Sequence, residues 1–284
     1  MDFCESQPLP STERAPASRR GIDWAAGWRW LEFFPPRNIE WGNVRLSIPS
    51  LPAALEGLRI VHLSDLHLRT RWPAAYDGIL ARIRQNPPDL LLFTGDFVDD
   101  KNDHRPAMPL VRRMADGWAA GVGRYAIHGN HDSYAIGAEL APTGVQFMDG
   151  RRAIVQTPRG GRIELIGLPG RRRHELSRAF LARMPAKEPG TLRIVLSHFP
   201  DHLRRAAALN ADLFLAGHTH GGQVCFPTGR PILTHDTLPA PWATGIHRVG
   251  QTWLVVSRGL GTTGLPVRAF CAPQVVEMTL AGER

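Results

Sequence analysis

Apolar and amphipathic stretches alternate along the chain from residue 58 onward. Short apolar runs that are typical of buried strands occupy residues 58–63, 89–94, 124–128, 192–196 and 213–216. Helices are predicted between them at 73–86, 109–120, 174–184 and 201–210. In the first helix, apolar side chains recur at the spacing of one buried face: Tyr76, Ile79, Leu80 and Ile83. The alternation predicts an α/β core with largely parallel strands.

Further β structure is predicted in the middle of the chain and at both ends of the α/β region. Residues 153–156 and 163–166 flank a Pro-Arg-Gly-Gly turn and predict a β-hairpin. Residues 39–48 alternate apolar and polar side chains, which predicts an edge strand that ends at Pro49. Two more strands are predicted at 252–257 and 275–280. No fixed-period repeat is visible, which argues against a solenoid.

Length and charge narrow the classes of protein and partner. The 284 residues suffice for one large domain with a short extension, and no apolar run reaches the length of a membrane-spanning helix. Only two of the 34 basic residues are lysines, and the formal net charge is +8. This positive field favours anionic partners such as phosphates, lipid head groups or nucleic acid. Charge alone does not choose among them.

The N-terminal part of the chain differs in composition from the rest. Residues 1–21 are rich in Pro, Ser, Arg and Glu, which predicts a flexible tail. Residues 22–34 are crowded with aromatic side chains: Trp24, Trp28, Trp30, Phe33 and Phe34. These form no single helical stripe, so they suit either contact with a membrane surface or cover for an apolar patch on the main domain. The predicted divisions are a tail at 1–21, an aromatic-rich extension at 22–56 and the main domain at 57–284.

Cysteine use and the N-terminal segment favour a cytoplasmic location. The three cysteines are widely separated and form no paired motif, which fits a reducing compartment. Arg19-Arg20 resembles part of a twin-arginine export signal, but Asp23, Arg29 and Glu32 interrupt the apolar region that such a signal requires. We therefore expect a cytoplasmic protein, and peripheral contact at the inner membrane is one of the two alternatives left open for residues 22–34.

Polar side chains follow five predicted strands, at the point where each strand ends. In chain order they are Asp65 and His67, then Asp96 and Asp99, then Asn130, His131 and Asp132, then His198, then His218 and His220. Because the carboxyl ends of parallel strands share one edge of a sheet, these side chains are expected to meet. Taken singly, the aspartates could cap helices, Asn130 could occupy a left-handed turn and His198 could be a core histidine. Separate explanations of this kind would have to hold at all five strand ends, so a shared metal site for Mn, Fe or Zn is favoured. The donors are enough for two ions.

The last of these strand ends carries two histidines and two glycines. It reads Gly217-His218-Thr219-His220-Gly221-Gly222-Gln223, where glycine permits a sharp turn and close approach to a ligand. The alternative for this stretch alone is a histidine pair in a surface turn, and Thr219 is expected to shape that turn. The other histidines divide into two groups. His62 and His128 are expected in the core or behind the site, and His104, His174, His202 and His247 are expected at the surface.

The strand-end motifs occur in the order found in the calcineurin-like metallophosphoesterases, which the chain resembles over residues 58–280. The motifs are Asp65-Leu66-His67, Gly95-Asp96-Phe97-Val98-Asp99, Gly129-Asn130-His131-Asp132, Ser197-His198 and Gly217-His218-Thr219-His220. Residues 221–223, 257–261 and 264–268 resemble a bacterial phosphodiesterase-like branch. That branch includes membrane-associated enzymes and a pyrophosphatase that acts on UDP-2,3-diacylglucosamine in lipid A synthesis.

The resemblance implies a four-layer α/β/β/α sandwich of two mixed sheets, with the metal site at the C-terminal ends of the strands. Two divalent or trivalent transition-metal ions would be bound, as Mn, Fe or Zn. One ion would be held by Asp65, His67 and His220, and the other by Asn130, His198 and His218. Asp96 would bridge both ions. A hydroxide between the ions would attack a phosphodiester or pyrophosphate bond.

The resemblance also implies roles for neighbouring residues and a class of substrate. His131 matches the position that protonates the leaving oxygen, and Asp99 matches the carboxylate that orients this histidine. For Asp132 we favour a helix cap over a contact with His131. Arg171-Arg172-Arg173 either grips a second phosphate or forms a solvated basic loop.

The substrate implied is a phosphate ester or diphosphate, including a lipid-linked nucleotide such as UDP-2,3-diacylglucosamine. Two alternatives remain beside it. A nuclease or a cyclic-nucleotide phosphodiesterase would use the same centre on a different substrate. A non-catalytic metal-binding scaffold would instead lack some of the ligands or the proton donor, and every one of those positions is occupied here.

Overall fold

The computed structural model describes residues 13–14, 31–33, 35–170, 178–234 and 236–283. The strands are β1 Glu13–Arg14, β2 Leu31–Phe33, β3 Glu40–Ile48, β4 Arg59–Leu63, β5 Leu90–Phe93, β6 Gly123–Ala126, β7 Gln146–Phe147, β8 Arg151–Gln156, β9 Arg162–Gly167, β10 Thr191–Leu196, β11 Leu213–Ala216, β12 Gly245–Val249, β13 Thr252–Val256, β14 Val267–Ala269 and β15 Gln274–Gly282. The helices are α1 Ala75–Gln85, α2 Met108–Asp116, α3 Ala135–Leu140, α4 Arg178–Ala182 and α5 Leu203–Ala208.

Two mixed sheets form the core of the α/β fold, as predicted. The six-stranded sheet has the order β3-β15-β4-β5-β6-β7, and its β4, β5, β6 and β7 run parallel. The seven-stranded sheet has the order β1-β12-β13-β11-β10-β9-β8, with β9, β10, β11 and β13 parallel. The predicted edge strand β3 and the predicted hairpin β8–β9 are both confirmed.

Both faces of each sheet are covered, which gives four layers. Along β4, Val61 and Leu63 pack with helices α1 and α2, whereas Ile60 packs with residues of the opposite sheet. A third apolar cluster joins the outer face of the seven-stranded sheet to α5, where Leu203 and Ala206 are buried. Strands buried on both faces read as continuous apolar runs rather than alternating ones, which is the pattern seen in the sequence.

The helices differ in extent from their predictions. The four apolar residues predicted for the inner face of α1 are all buried. Helix α2 ends at Asp116 rather than at residue 120, since Gly117 caps it and Trp118 turns into the core. The predicted helix at 201–210 begins as one 3₁₀ turn, Pro200–His202, and continues as α5. Of the predicted helix at 174–184, residues 178–184 are described, and α4 ends at Ala182.

Parts of the N-terminal region lie outside the described residues, including Trp24, Trp28, Trp30 and Phe34. Within the region, β1 pairs with β12 and β2 pairs with β14. Among the described residues no helix is both long and apolar enough to cross a bilayer. The run Arg171-Arg172-Arg173 also falls outside the description.

A buried ion pair joins neighbouring strands of the seven-stranded sheet. Glu164 on β9 accepts from Arg193 Nε on β10 at 2.6 Å, and both side chains are 2% exposed. Glu164 also accepts from Arg152 on β8. Because removing one partner leaves an uncompensated buried charge, we expect Glu164→Ala to lower the free energy of unfolding by about 3–5 kcal/mol. Urea unfolding followed by circular dichroism measures this change.

The loss of stability in Glu164→Ala depends on pH, and the direction of this dependence can be predicted. Burial opposes ionisation of Glu164, but hydrogen bonds from Arg193 and Arg152 outweigh it and lower the pKa of this carboxyl. The stabilisation is therefore present above the unfolded pKa of about 4.3 and is lost as the pH falls through the lowered folded value. The difference in free energy of unfolding between wild type and Glu164→Ala should therefore become smaller only at acid pH. Glu188→Ala, which breaks the exposed pair with Arg162, serves as the control and should change stability by less than about 0.5 kcal/mol.

Candidate metal centre

The loops that follow β4, β5 and β11 hold non-glycine residues in the left-handed region of backbone space. Five predicted ligands have positive φ angles: Asp65 52°, His67 43°, Asp96 61°, His218 70° and His220 52°. Such a conformation costs on the order of 1–3 kcal/mol per residue and persists only where the surroundings impose it. Backbone strain in the described chain is therefore concentrated at the predicted site.

Two glycines allow these loops to approach each other closely. A Cβ atom on Gly129 would lie 2.1 Å from Asp96 Oδ1, and one on Gly217 would lie 2.0 Å from Ser64 Oγ. Neither contact is possible for a larger residue without moving the loops. Gly129 and Gly217 therefore let the ends of β4, β5, β6 and β11 converge.

One group of converging side chains consists of Asp65, His67 and His220. The Nε2 atoms of His67 and His220 are 3.0 Å apart, and His220 Nε2 lies 3.5 Å from Asp65 Oδ1. All three side chains are buried. These are the residues that the family resemblance assigns to the first ion.

A second group consists of Asn130, His198 and His218. His198 Nε2 lies 2.9 Å from Asn130 Oδ1 and 3.2 Å from His218 Nδ1. Asp96 stands between the two groups, with Oδ2 at 3.4 Å from both His67 Nε2 and His198 Nε2. The structure thus brings all seven predicted ligands to one place and puts the predicted bridging carboxylate in the middle.

The chemistry of this donor set fits transition-metal ions. Imidazole nitrogens that face each other at 3.0–3.2 Å share at most one proton per pair, and burial keeps water from His67, His198 and His220. A cation satisfies all these lone pairs at once, and neutral imidazole with carboxylate and amide oxygen suits Mn, Fe or Zn. Asp65, His67 and His220 could hold one ion, and Asp96 with His198 could contribute to another.

Charge at the site is set by Asp96 and the histidines beside it. Burial opposes ionisation of Asp96, but the adjacent His198 and His67 outweigh it and hold the pKa of this carboxyl well below its usual range. In the same way Asp96 overcomes the effect of burial on His198 and raises its pKa to about 9. Burial and the nearby His67 and Arg268 lower the pKa of His220 well below its ordinary value. Asp96 is therefore an ionised carboxylate at neutral pH.

The prediction that Asp132 caps a helix is wrong. Its buried carboxylate accepts from the backbone N–H groups of Asp96, Phe97 and Gly129, each at 2.8 Å. Helix α3 begins at Ala135 without a side-chain cap. Burial and the charge of Asp96 raise the pKa of Asp132 to about 6. Asp132 ties the loop that carries Asp96 to the loop that carries Asn130.

His131 is fixed at two points beside the centre. Its backbone N–H donates to Asp96 Oδ1 at 2.9 Å, and its Nδ1 donates to the backbone carbonyl of Asp99 at 2.5 Å. The carboxylate of Asp99 instead faces His67 Nδ1 at 3.3 Å and accepts from Arg69 Nε at 2.8 Å. Asp99 therefore touches His131 through its main chain and touches the predicted ligand His67 through its side chain.

The remaining histidines divide differently from their predictions. His62 and His128 are buried, as expected. The surface prediction is wrong for two residues. His202 is buried with Nδ1 3.0 Å from Ser197 Oγ, and His247 is buried with its ring stacked on Trp242. His104 is partly buried against Glu139, and His174 lies outside the described residues.

Two residues that support the last loop carried no predicted role. The buried guanidinium of Arg268 donates to the carbonyls of Gly261 and His220 and lies 3.2 Å from His220 Nδ1. The amide of Gln223 donates to the carbonyls of Thr263 and Leu265 and accepts from the Thr263 N–H at 2.9 Å. Gln223 thus anchors the end of the histidine loop to a distant segment.

Cys225 and Cys271 meet as well, although their spacing did not indicate it. The Sγ atoms of Cys225 and Cys271 lie 3.2 and 3.6 Å from the carbonyl oxygen of Gly221, and both are free buried thiols. Thr219 shapes the turn as predicted, since its hydroxyl accepts from the Gly221 N–H at 3.3 Å and donates to the Ala243 carbonyl.

Comparison with known proteins gives a consistent set of relatives. Residues 58–222, more than half of the chain, match the calcineurin-like phosphoesterase family. The chain is 28% identical to the uncharacterised metallophosphoesterase YkuE of Bacillus subtilis over 89% of its length and 90% of that protein. It is 27% identical to the phosphodiesterase YaeI of Escherichia coli, covering 93% of this chain and 96% of that one. It is 26% identical to the UDP-2,3-diacylglucosamine pyrophosphatase LpxG of Chlamydia trachomatis, covering 87% of this chain and 90% of that protein.

Proposed function

The chain belongs to the calcineurin-like phosphoesterase family, a family of hydrolases, and from that premise we propose that it cleaves phosphodiester or pyrophosphate bonds at a centre of two metal ions. The observation that carries this proposal is the position of Asp96. Its Oδ2 is equally distant, at 3.4 Å, from a histidine of each converging group. A carboxylate shared by two donor sets is what a dinuclear centre requires.

Seven residues would hold the ions in the two sets described above. Asp65, His67 and His220 form one set, Asn130, His198 and His218 form the other, and Asp96 is common to both. When bound, two such ions supply Lewis acidity, which activates water near neutral pH and offsets charge on the phosphoryl oxygens. Asp132 orients the donors by accepting from the backbone of the Asp96 loop. Asp99 orients them through its contact with His67.

His131 would act on the leaving group. Its position next to Asn130 brings the imidazole to the edge of the site, and the Asp99 carbonyl holds its Nδ1. The ring lies edge-on to His67, with centroids 4.8 Å apart. In this role the imidazole gives a proton to the departing oxygen or stabilises its charge.

For the substrate we propose a lipid-linked nucleotide diphosphate such as UDP-2,3-diacylglucosamine. Two facts support this class. The net charge of +8 suits an anionic substrate, and the relative LpxG is named for this activity. A cytoplasmic protein that works at the inner membrane fits such a substrate. The phosphodiesterase name of YaeI favours a second candidate, a nuclease or cyclic-nucleotide phosphodiesterase.

Removal of metal tests the reaction class. We expect chelator-treated protein to lose hydrolysis of bis(p-nitrophenyl) phosphate by about 10³-fold or more, because the ions supply several kcal/mol of stabilisation to the transition state. Activity should return with Mn²⁺ in proportion to the metal bound, as measured by elemental analysis of the same sample. Full activity in a sample with no measurable metal would contradict the proposal.

A substrate panel under the same conditions separates the candidates. It comprises UDP-2,3-diacylglucosamine, UDP-glucose, a cyclic nucleotide and a single-stranded oligonucleotide. The lipid-linked substrate should give the highest kcat/KM, and UDP-glucose is the matched control because it has the same diphosphate without acyl chains. A preference for the cyclic nucleotide or the oligonucleotide would establish the second candidate instead.

A further inference from the structure

A small β layer lies against the loop that carries His218 and His220. Strand β2 pairs with β14, so that Leu31 opposes Ala269 and Phe33 opposes Val267. A bridge then joins Ala269 to Val224, and another joins Cys225 to Pro231. We call these four segments, residues 31–33, 267–269, 224–226 and 231–233, the outer sheet.

The inner face of the outer sheet is directed at the metal loop. Arg268 projects there and is 1% exposed, with its guanidinium on the carbonyls of His220 and Gly261. Cys225 and Pro231 project to the same side, and both are buried. This face contains a charged residue and a thiol that contact the backbone of the site.

The outer face is apolar, and its four largest side chains are exposed. Residues that oppose each other in a sheet project to the same side, and alternate residues of a strand share a face. Opposite Arg268 and Cys225, the outer face is therefore formed by Leu31, Phe33, Val224, Phe226, Ile232, Val267 and Ala269. Phe33 is 66% exposed, Ile232 56% and Phe226 51%. Leu233, which follows Ile232, and Leu265, which precedes β14 by two residues, are exposed as well.

This arrangement reverses the usual one for a sheet at a protein surface. Normally the apolar face packs on the core and the polar face meets water. Here the charged side chain is inside and the apolar ones are outside. Of the eight large apolar side chains exposed in the described part of the chain, six lie on or beside this face. Contiguous exposed apolar surface of this kind marks a binding site rather than scattered exposure.

We propose that the outer sheet docks the protein on a lipid bilayer that contains anionic head groups. The seven side chains of the outer face have no hydrogen-bonding group, whereas protein interfaces carry about one hydrogen bond per 100–200 Å². The acyl region of a bilayer needs none. Arg230 is exposed in the turn after Phe226, where its backbone carbonyl accepts from the Phe226 N–H at 2.9 Å. An arginine at the rim of an apolar face, on a protein of net charge +8, suits head-group phosphates.

Docking through this face would set the candidate metal centre beside the membrane. Gln223 joins the histidine loop to the carbonyl of Leu265 at 2.9 Å, and Arg268 spans from the outer sheet to His220. The apolar surface and the predicted ligands are thus connected by single side chains. The inference concerns a binding surface and goes beyond the hydrolytic function proposed above.

Vesicle flotation tests the inference. Full-length protein is mixed with vesicles of phosphatidylcholine alone or of equal parts phosphatidylcholine and phosphatidylglycerol. We expect binding to the second that exceeds binding to the first. Phe33→Ser combined with Ile232→Ser should lower the partition coefficient by about tenfold or more, because two large apolar side chains no longer leave water. The matched control is Tyr134→Ser with Ile154→Ser, which changes two exposed apolar residues of the described chain that are not part of the outer sheet and should bind as wild type does.

Several outcomes would overturn the inference. Equal loss of binding in both double variants, or none in either, would place membrane contact elsewhere in the chain. Failure of wild type to float would exclude the bilayer. A dimer in sedimentation that the Phe33→Ser/Ile232→Ser variant dissociates would identify a second copy as the partner.

Phe226→Ser with Leu265→Ser repeats the test, and circular dichroism checks that each variant folds. Flotation needs no turnover, so protein that floats but does not hydrolyse would contradict only the proposed function.

Discussion

Asp96→Ala is expected to lower Mn²⁺-dependent hydrolysis of bis(p-nitrophenyl) phosphate by about 10³-fold or more. The carboxylate stands between the two converging groups, 3.4 Å from His67 Nε2 and from His198 Nε2. Its removal deprives both ions of a shared anionic ligand, and several kcal/mol of lost stabilisation correspond to at least this factor. Elemental analysis should find reduced metal in the same protein.

The loss has a second, structural component that a conservative variant separates. Asp96 Oδ1 accepts from the His131 N–H at 2.9 Å, so alanine also releases the loop that carries His131. Asp96→Asn keeps an acceptor of the same shape but removes the charge. If charge at the centre dominates, the asparagine variant should be nearly as inactive as the alanine variant. Asp116→Ala, at the exposed end of α2, is the control and should hydrolyse the substrate at the wild-type rate. Equal rates for Asp96→Ala and wild type would end the dinuclear hypothesis.

The sequence predicts those site residues whose position is determined by the direction of the strands. Parallel strands end at one edge, so polar residues that follow apolar runs must meet there. Asp65, Asp96 and Asn130 follow parallel strands of the six-stranded sheet and share its edge, and His198 and His218 follow parallel strands of the seven-stranded sheet and share the edge of that sheet. Chain direction thus predicts each group, whereas the meeting of the two groups follows from the arrangement of two sheets that the family resemblance implies.

The residues that support the site could not be predicted in the same way, because their partners are distant in the chain. Gln223 contacts residues 40 and 42 positions away, and Arg268 contacts His220 across 48 positions. The prediction for Asp132 follows a local rule for helix starts, but its carboxylate accepts hydrogen bonds from backbone N–H groups of another loop. Local rules fail where a side chain stabilises the backbone of a separate segment.

Burial of single histidines was also beyond sequence reasoning. His202 and His247 stand next to the charged residues Asp201 and Arg248, and both are predicted at the surface. Both are buried because tertiary contacts supply partners: Ser197 for His202 and the Trp242 ring for His247. The outer sheet escaped prediction for a related reason. Its two strands are three residues long and its other pairings are single bridges, which are too short to show a period of two.

His131→Ala should lower kcat by about 10²–10⁴ while the metal content stays that of wild type. The side chain of His131 belongs to neither converging group, and only its backbone N–H bonds Asp96. Alanine keeps that N–H, so the centre should remain assembled. His104→Ala is the matched control, because His104 is partly buried and pairs with Glu139 away from the site.

The leaving group decides which role His131 has. A proton donor matters most when the departing oxygen is strongly basic, so His131→Ala should slow an alkyl phosphodiester more than bis(p-nitrophenyl) phosphate, whose nitrophenolate leaves without protonation. A loss of the same size for both substrates would instead indicate that His131 stabilises charge on the phosphoryl group. Loss of metal from His131→Ala would contradict both roles, because it would mean that the side chain holds the centre together.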